Sequence, residues 1–155
     1  MSRIVRTAAD ILYPFILIFG LYIVIHGHLT PGGGFQGGAV IATGSVLLLV
    51  AFRYSELTGD LRKGWMKIFE SGGLLLFIGT ALAALLVGGV FFFNWLANTG
   101  SLFGIPVAFG PNPGEIYTAG VIPVMNLAVG IEVWGGLSLI VMYMMGDLEE
   151  GGERS

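Results

Sequence analysis

Gly27-His28-Leu29-Thr30-Pro31-Gly32-Gly33-Gly34-Phe35-Gln36-Gly37-Gly38 lies between two long apolar runs. Glycine in a regular element costs backbone entropy, so a block this dense marks close backbone approach or unusual backbone angles. It reads as the point where the chain leaves one face of a membrane and re-enters. Composition agrees. Of the 155 residues, 55% are hydrophobic and 11% are charged, with a mean hydropathy of +0.85. Soluble domains carry about 25% charged residues, so most of this surface must face lipid or other apolar helices.

Working outward from the glycine block, four segments approach the roughly 20 apolar residues that a spanning helix needs. They cover about 10–26, 33–53, 69–94 and 118–146, followed by a frayed acidic tail at 147–155. None alternates with the two-residue period of a barrel strand, and only helices or closed barrels satisfy their backbone in lipid. The predicted fold is therefore an all-α integral membrane protein, one domain of four transmembrane helices. Arg3 and Arg6 precede the first run, but no small-x-small cleavage site follows it, so it reads as a retained span.

Basic residues gather on one side. Arg3 and Arg6 lie before the first span, Arg53, Arg62, Lys63 and Lys67 lie in the second connection, and Arg154 lies in the tail. The positive-inside rule puts both termini in the cytoplasm. Trp65 in the second connection reads as an interfacial anchor on an amphipathic stretch. The third connection, Asn94 to Tyr117, is rich in Gly and Pro and reads as a short extended or hairpin segment, or an ordinary loop, on the outer face.

Small residues recur at helical spacing. Gly34, Gly38 and Ala42 share one face, as do Gly79 and Ala83, and as do Ala128 and Gly136 around Glu132. Such faces let helices approach closely in lipid. Four helices bury only some of them, so the remainder point to neighbouring subunits.

Glu132 stands out near the middle of the fourth span. A charged carboxylate there costs about 3 kcal/mol or more, so it should face protein or water. It reads either as a proton or sodium relay or as a hydrogen-bonded contact between subunits. His26 and His28 end the first span and could titrate near neutral pH, in a proton path or as capping groups; an isolated His-x-His is a weak metal motif. Asn126 can hydrogen-bond across helices. Pro31 fixes the glycine turn, and Phe35, the bulky side chain among glycines, is expected to insert into a neighbouring surface. Glu70 and Glu115 read as helix-start charges, and Asp10 with Arg6 as a structural i,i+4 pair. The glycine block has no Gly-Lys-Ser/Thr and no preceding strand, so it is not a phosphate loop. With no cysteine, thiol catalysis and thiolate metal sites are excluded, and nothing resembles a nucleophile–base pair or a nucleic-acid surface.

The glycine block, including Pro31, Gly32, Gly33, Gly34, Phe35, Gly37 and Gly38, resembles the signature of the B-type component of Mrp-type multisubunit sodium/proton antiporters. The same component occurs in archaeal membrane-bound hydrogenases and sulfane reductases. The resemblance covers nearly the whole chain. It implies a non-catalytic subunit with no cofactor of its own, beside antiporter-like and small helical subunits, in a module that moves sodium ions and protons. In the redox complexes it implies neighbours holding iron–sulfur clusters and a nickel–iron site. The family's proline and phenylalanine that matter for antiport fall on Pro31 and Phe35. Bacterial antiporter members carry an aspartate near the position of Asn126, whereas this chain has the amide there and its carboxylate at Glu132. That departure tilts the reading toward the archaeal redox branch. A purely structural scaffold subunit and a free-standing small transporter are the remaining alternatives.

Overall fold

The structure is a computed structural model that describes residues 2–29, 32–52, 60–111 and 115–153. Pro31, residues 53–59, residues 112–114 and Arg154 lie outside the described residues. Four long helices are present: α1 Arg3–His26, α2 Gly33–Phe52, α3 Asp60–Gly88 and α6 Ile122–Glu153. Two short ones, α4 Trp95–Asn98 and α5 Ile116–Ala119, sit in the third connection. The long four are apolar and long enough to cross a membrane. There is no strand among the described residues.

Local chemistry explains the ends. Ser2 caps α1, its Oγ accepting from the Val5 N–H at 3.4 Å. The start of α2 needs Gly32 and Gly33, whose φ angles are +132° and +46°; side chains other than hydrogen are strained there. α3 runs from Asp60 to Gly88, earlier at both ends than the expected 69–94. Gly89 then takes φ +69° and donates its N–H to the Leu85 carbonyl, a left-handed stop that releases the phenylalanines after it from the helix. Gly120, at φ +59°, separates α5 from α6. The tail expected to fray continues α6 to Glu153; Leu148, Glu149 and Glu150 are good helix formers.

The helices do not pack in chain order. α2 packs against α1 and α6, and α6 against α2 and α3, while α3 makes its main contacts with α6. The spatial order is α1, α2, α6, α3. Ile41 lies against Gly20 and Tyr13 against Gly44, so α1 and α2 are antiparallel. Gly34 lies against Asn126 and Val129, and Gly38 against Gly130 and Val133, so α2 and α6 run parallel. The block that reads as a turn in the sequence is therefore two devices. Gly32 and Gly33 bend the backbone, and Gly34, Gly37 and Gly38 seat α2 between its neighbours. A Cβ on Gly34 would stand 2.3 Å from the Asn126 carbonyl oxygen, and one on Gly37 2.7 Å from the Gly20 carbonyl oxygen. Gly79, by contrast, has nothing within 4 Å of such an atom; the Gly79/Ala83 stripe is not an internal packing face.

At the basic end, the Arg6 guanidinium lies 5.3 Å from the centre of the Phe52 ring, tying the start of α1 to the end of α2. The third connection folds back on itself. Val107 donates to the Ala97 carbonyl at 3.0 Å and accepts from Asn98 Nδ2 at 2.9 Å. Asn94 clamps its far end, with Nδ2 donating to the Ala119 carbonyl and Oδ1 accepting from the Val121 N–H.

Candidate functional site at the crossing of α3 and α6

α3 and α6 cross antiparallel along a ladder of close contacts. Nearest the basic end, Lys63 and Lys67 place their ammonium groups 5.2 and 5.7 Å from the centre of the Tyr143 ring, a cation–π arrangement. One step further in, a Cβ on Gly135 would stand 2.8 Å from the Met66 carbonyl oxygen and 2.7 Å from the Glu70 nitrogen. Next, Phe69 stacks on Trp134, with ring centres 5.2 Å apart and planes 19° from parallel. Last comes Gly73, where a Cβ would stand 2.6 Å from the Glu132 nitrogen and 2.8 Å from its Cβ. Only a glycine lets α6 come this near.

This crossing holds two carboxylates. Glu132 lies against α3 at Gly73. Glu70 is the correction to the sequence reading. It lies three turns inside α3, not at a helix start, because the helix begins at Asp60. Its Oε1 lies 3.4 Å from where a Cβ on Gly136 would be, one helical turn along α6 from Glu132. Both residues are half-buried. The two residues thus lie at one helix seam, Glu70 against Gly136 and Glu132 against Gly73. In the sequence a glycine pair follows each carboxylate, two and three residues after Glu70 and three and four after Glu132.

The other candidates lie elsewhere. Asn126 is on the far side of α6, wedged against Gly27, Gly33 and Gly34, and its Nδ2 is buried without a hydrogen-bond partner among the described residues. His26 donates from Nδ1 to the Tyr22 carbonyl at 3.1 Å, its ring centre 4.0 Å from that of Tyr22 and tilted by 30°. His28 Nδ1 donates to the Ile25 carbonyl at 3.0 Å and lines an apolar cavity with Pro123, Val124 and Leu127. That level of α6 is about two turns from Glu132, about 12 Å at 1.5 Å per residue. Of the four ion-path candidates, Glu132 and Asn126 therefore meet different neighbours of α6, and His26 and His28 stay at the end of α1. Phe35 is 60% exposed, so it does not insert into its own chain. Glu115 does begin a helix, as the N-cap of α5. No group of three His, Asp or Glu able to hold a metal occurs among the described residues.

Comparison with known proteins gives a consistent result. A family model described as "Domain related to MnhB subunit of Na+/H+ antiporter" matches residues 4–139. An uncharacterised protein of Methanocaldococcus jannaschii is 40% identical over 121 residues, 77% of this chain and 43% of that one. The B-type component of the Na(+)/H(+) antiporter of Bacillus subtilis is 29% identical over 94% of both chains. Among solved structures, a chain of the membrane-bound sulfane sulfur reductase, an archaeal respiratory membrane complex, superposes with a TM-score of 0.72 at 36% identity. That match covers 93% of this chain and 58% of the other. The chain thus spans about half the length of two of these relatives and nearly all of the third.

Proposed function

The chain belongs to the MnhB family of Na+/H+ antiporter subunits, and from that premise we propose that it is a non-catalytic membrane subunit of a sodium- and proton-translocating module, working inside a larger redox-driven complex. The observation that carries the ion-path part is the Glu70–Glu132 pair at one helix crossing. In this reading the pair holds and passes a proton, or contributes oxygens to a sodium ion whose remaining ligands come from adjacent subunits. His28 and Asn126 serve the glycine block and the outer end, and are not ligands of the pair. Phe35, exposed beside that block, docks on a neighbouring antiporter-like or small helical subunit. The chain lies in a prokaryotic cell membrane with its basic end, and so both termini, in the cytoplasm.

The likeness to the sulfane reductase chain supports the redox setting, with iron–sulfur and metal-site subunits as neighbours. A stand-alone sodium/proton antiporter is the second reading, favoured by the end-to-end match to the Bacillus protein. Purification of the tagged chain from its native membrane, followed by mass spectrometry, separates them. Redox subunits in the complex support the first; antiporter-like subunits alone overturn it in favour of the second.

The path itself is tested by Glu132→Gln, which keeps shape and removes charge. Sodium-dependent proton movement should fall at least about tenfold at normal complex yield, the effect of about 1.4 kcal/mol on a barrier. Unchanged movement would leave only a scaffold role.

A further inference from the structure

We propose that the third connection, between α3 and α6, is itself a membrane-contacting element. It lies in the headgroup boundary of the leaflet opposite the basic end and turns its phenylalanines into the acyl chains. Its partner is the lipid surface.

Three observations point to lipid. The first is charge. From Ser71 to Gly114 no residue is charged, so no ionic side chain opposes leaving water, the costly step for a segment entering a bilayer. The second is polarity, which is inside out. Asn94 and Asn98 are half-buried and spend their side chains on the Ala119 and Val107 carbonyls and the Val121 N–H. Phe91, Phe92, Leu102, Phe103, Ile105 and Phe109, by contrast, are 46% to 82% exposed. Apolar side chains exposed together mark a contact surface.

The third is height. After Gly88 the chain turns back toward the membrane centre. Phe92 takes φ +60°, uncommon without glycine, and its ring centre lies 5.8 Å from that of Phe77. Trp95 and Leu96 share a cavity wall with Gly79, Thr80 and Ala83 of α3 and Val124 of α6. Thr80 is about 12 Å down the helix from Gly88 at 1.5 Å per residue. Gly88 stands about 32 Å from Lys67 on the same scale, against a hydrocarbon thickness of about 30 Å. With Lys67 at one boundary, Gly88 marks the other, and Trp95 and Leu96 lie about 10 Å inside it, the depth reached by interfacial elements. Val107 is bonded to Ala97, and the Phe109 ring lies 6.0 Å from that of Phe93, so the rest of the connection is held near the same level.

Irregular backbone is not tolerated in the lipid-exposed hydrocarbon centre, whereas the headgroup boundary still supplies water to it. A partner subunit is the weaker occupant. Protein interfaces set their register with a polar rim, and this surface has turned its amides inward. Lipid requires no register.

The proposal stands apart from the ion path and survives the loss of that reading. In the complex, reconstituted in vesicles of a single phosphatidylcholine, Phe103→benzoylphenylalanine and, separately, Phe109→benzoylphenylalanine are irradiated. Each replacement keeps an aromatic ring, and the benzophenone bonds to C–H groups that it touches. At both positions the chain should gain the mass of one lipid. A cross-link to another subunit at either position overturns the proposal, as does the absence of any adduct at both, the result for rings in water. A second measurement does not depend on the probe. Phe103→Ser combined with Phe109→Ser should leave the subunit composition of the purified complex unchanged; loss of a neighbouring subunit would assign the surface to that subunit and overturn the lipid contact.

Discussion

Gly73 and Glu132 touch backbone to backbone: an atom added at the Cβ position of Gly73 would meet the Glu132 nitrogen at 2.6 Å. The contact fixes where the carboxylate emerges, at the seam between α3 and α6. Glu70 lies at the same seam, against Gly136.

Glu70→Gln should therefore reduce sodium-dependent proton movement as much as Glu132→Gln does. Glu115→Gln, at an exposed helix start, should leave it unchanged. Vesicle assays of the three assembled variants check this, and full activity in Glu70→Gln would remove that residue from the path.

Glycines divide into two classes with opposite expected outcomes. Alanine at Gly34 or Gly38 drives a methyl into the backbone of α6, within 2.3 Å of the Asn126 oxygen or 2.6 Å of the Gly130 oxygen. Backbone cannot step aside as a side chain can, so the cost should reach or exceed the roughly 1–3 kcal/mol of ordinary overpacking. Gly79→Ala meets open space and should be neutral or slightly stabilising for the isolated chain. Thermal unfolding in detergent distinguishes them.

Trp134→Phe keeps a ring against Phe69 but removes the indole Nε1–H that donates to Ser45 Oγ at 2.9 Å. A loss of about 0.5–1.5 kcal/mol is expected for that bond. Ser45→Ala should cost as much or more, since it leaves the indole N–H unpaired. The double variant should then cost less than the two singles added together, as measured by unfolding in detergent.

Asn94→Ala removes both bonds that hold the third connection to the start of α6. Limited proteolysis should then cut between residues 89 and 121 several times faster. The helix contacts, read by overall melting, should change little.

How far the sequence carried this fold depends on the element. Long apolar runs mark four spans because lipid leaves the backbone no alternative to a helix or a barrel. Glu132 stands out because nothing charged surrounds it. Glu70 is hidden because the basic, Trp-containing stretch before it reads as a connection resting on the membrane. In three dimensions, Met66 and Phe69 of that stretch already face α6. Nor could any periodicity reveal that α6 lies between α2 and α3, because pairing in lipid is decided by local shape: Gly34 and Gly38 on one side, Gly135 on the other. Asn126, six residues before Glu132 on the same helix, meets the glycine block instead. Proximity along the helix alone would have grouped it with Glu132.

The spatial order α1, α2, α6, α3 bears on how the protein is made. Helices enter the bilayer in the order of synthesis, so α3 arrives before the helix that supplies its main packing surface. Until α6 follows, Glu70 faces either lipid or whatever the insertion machinery provides. The surface that covers Glu70 in the finished protein, Gly135 and Gly136, is thus the last of the spans to be made.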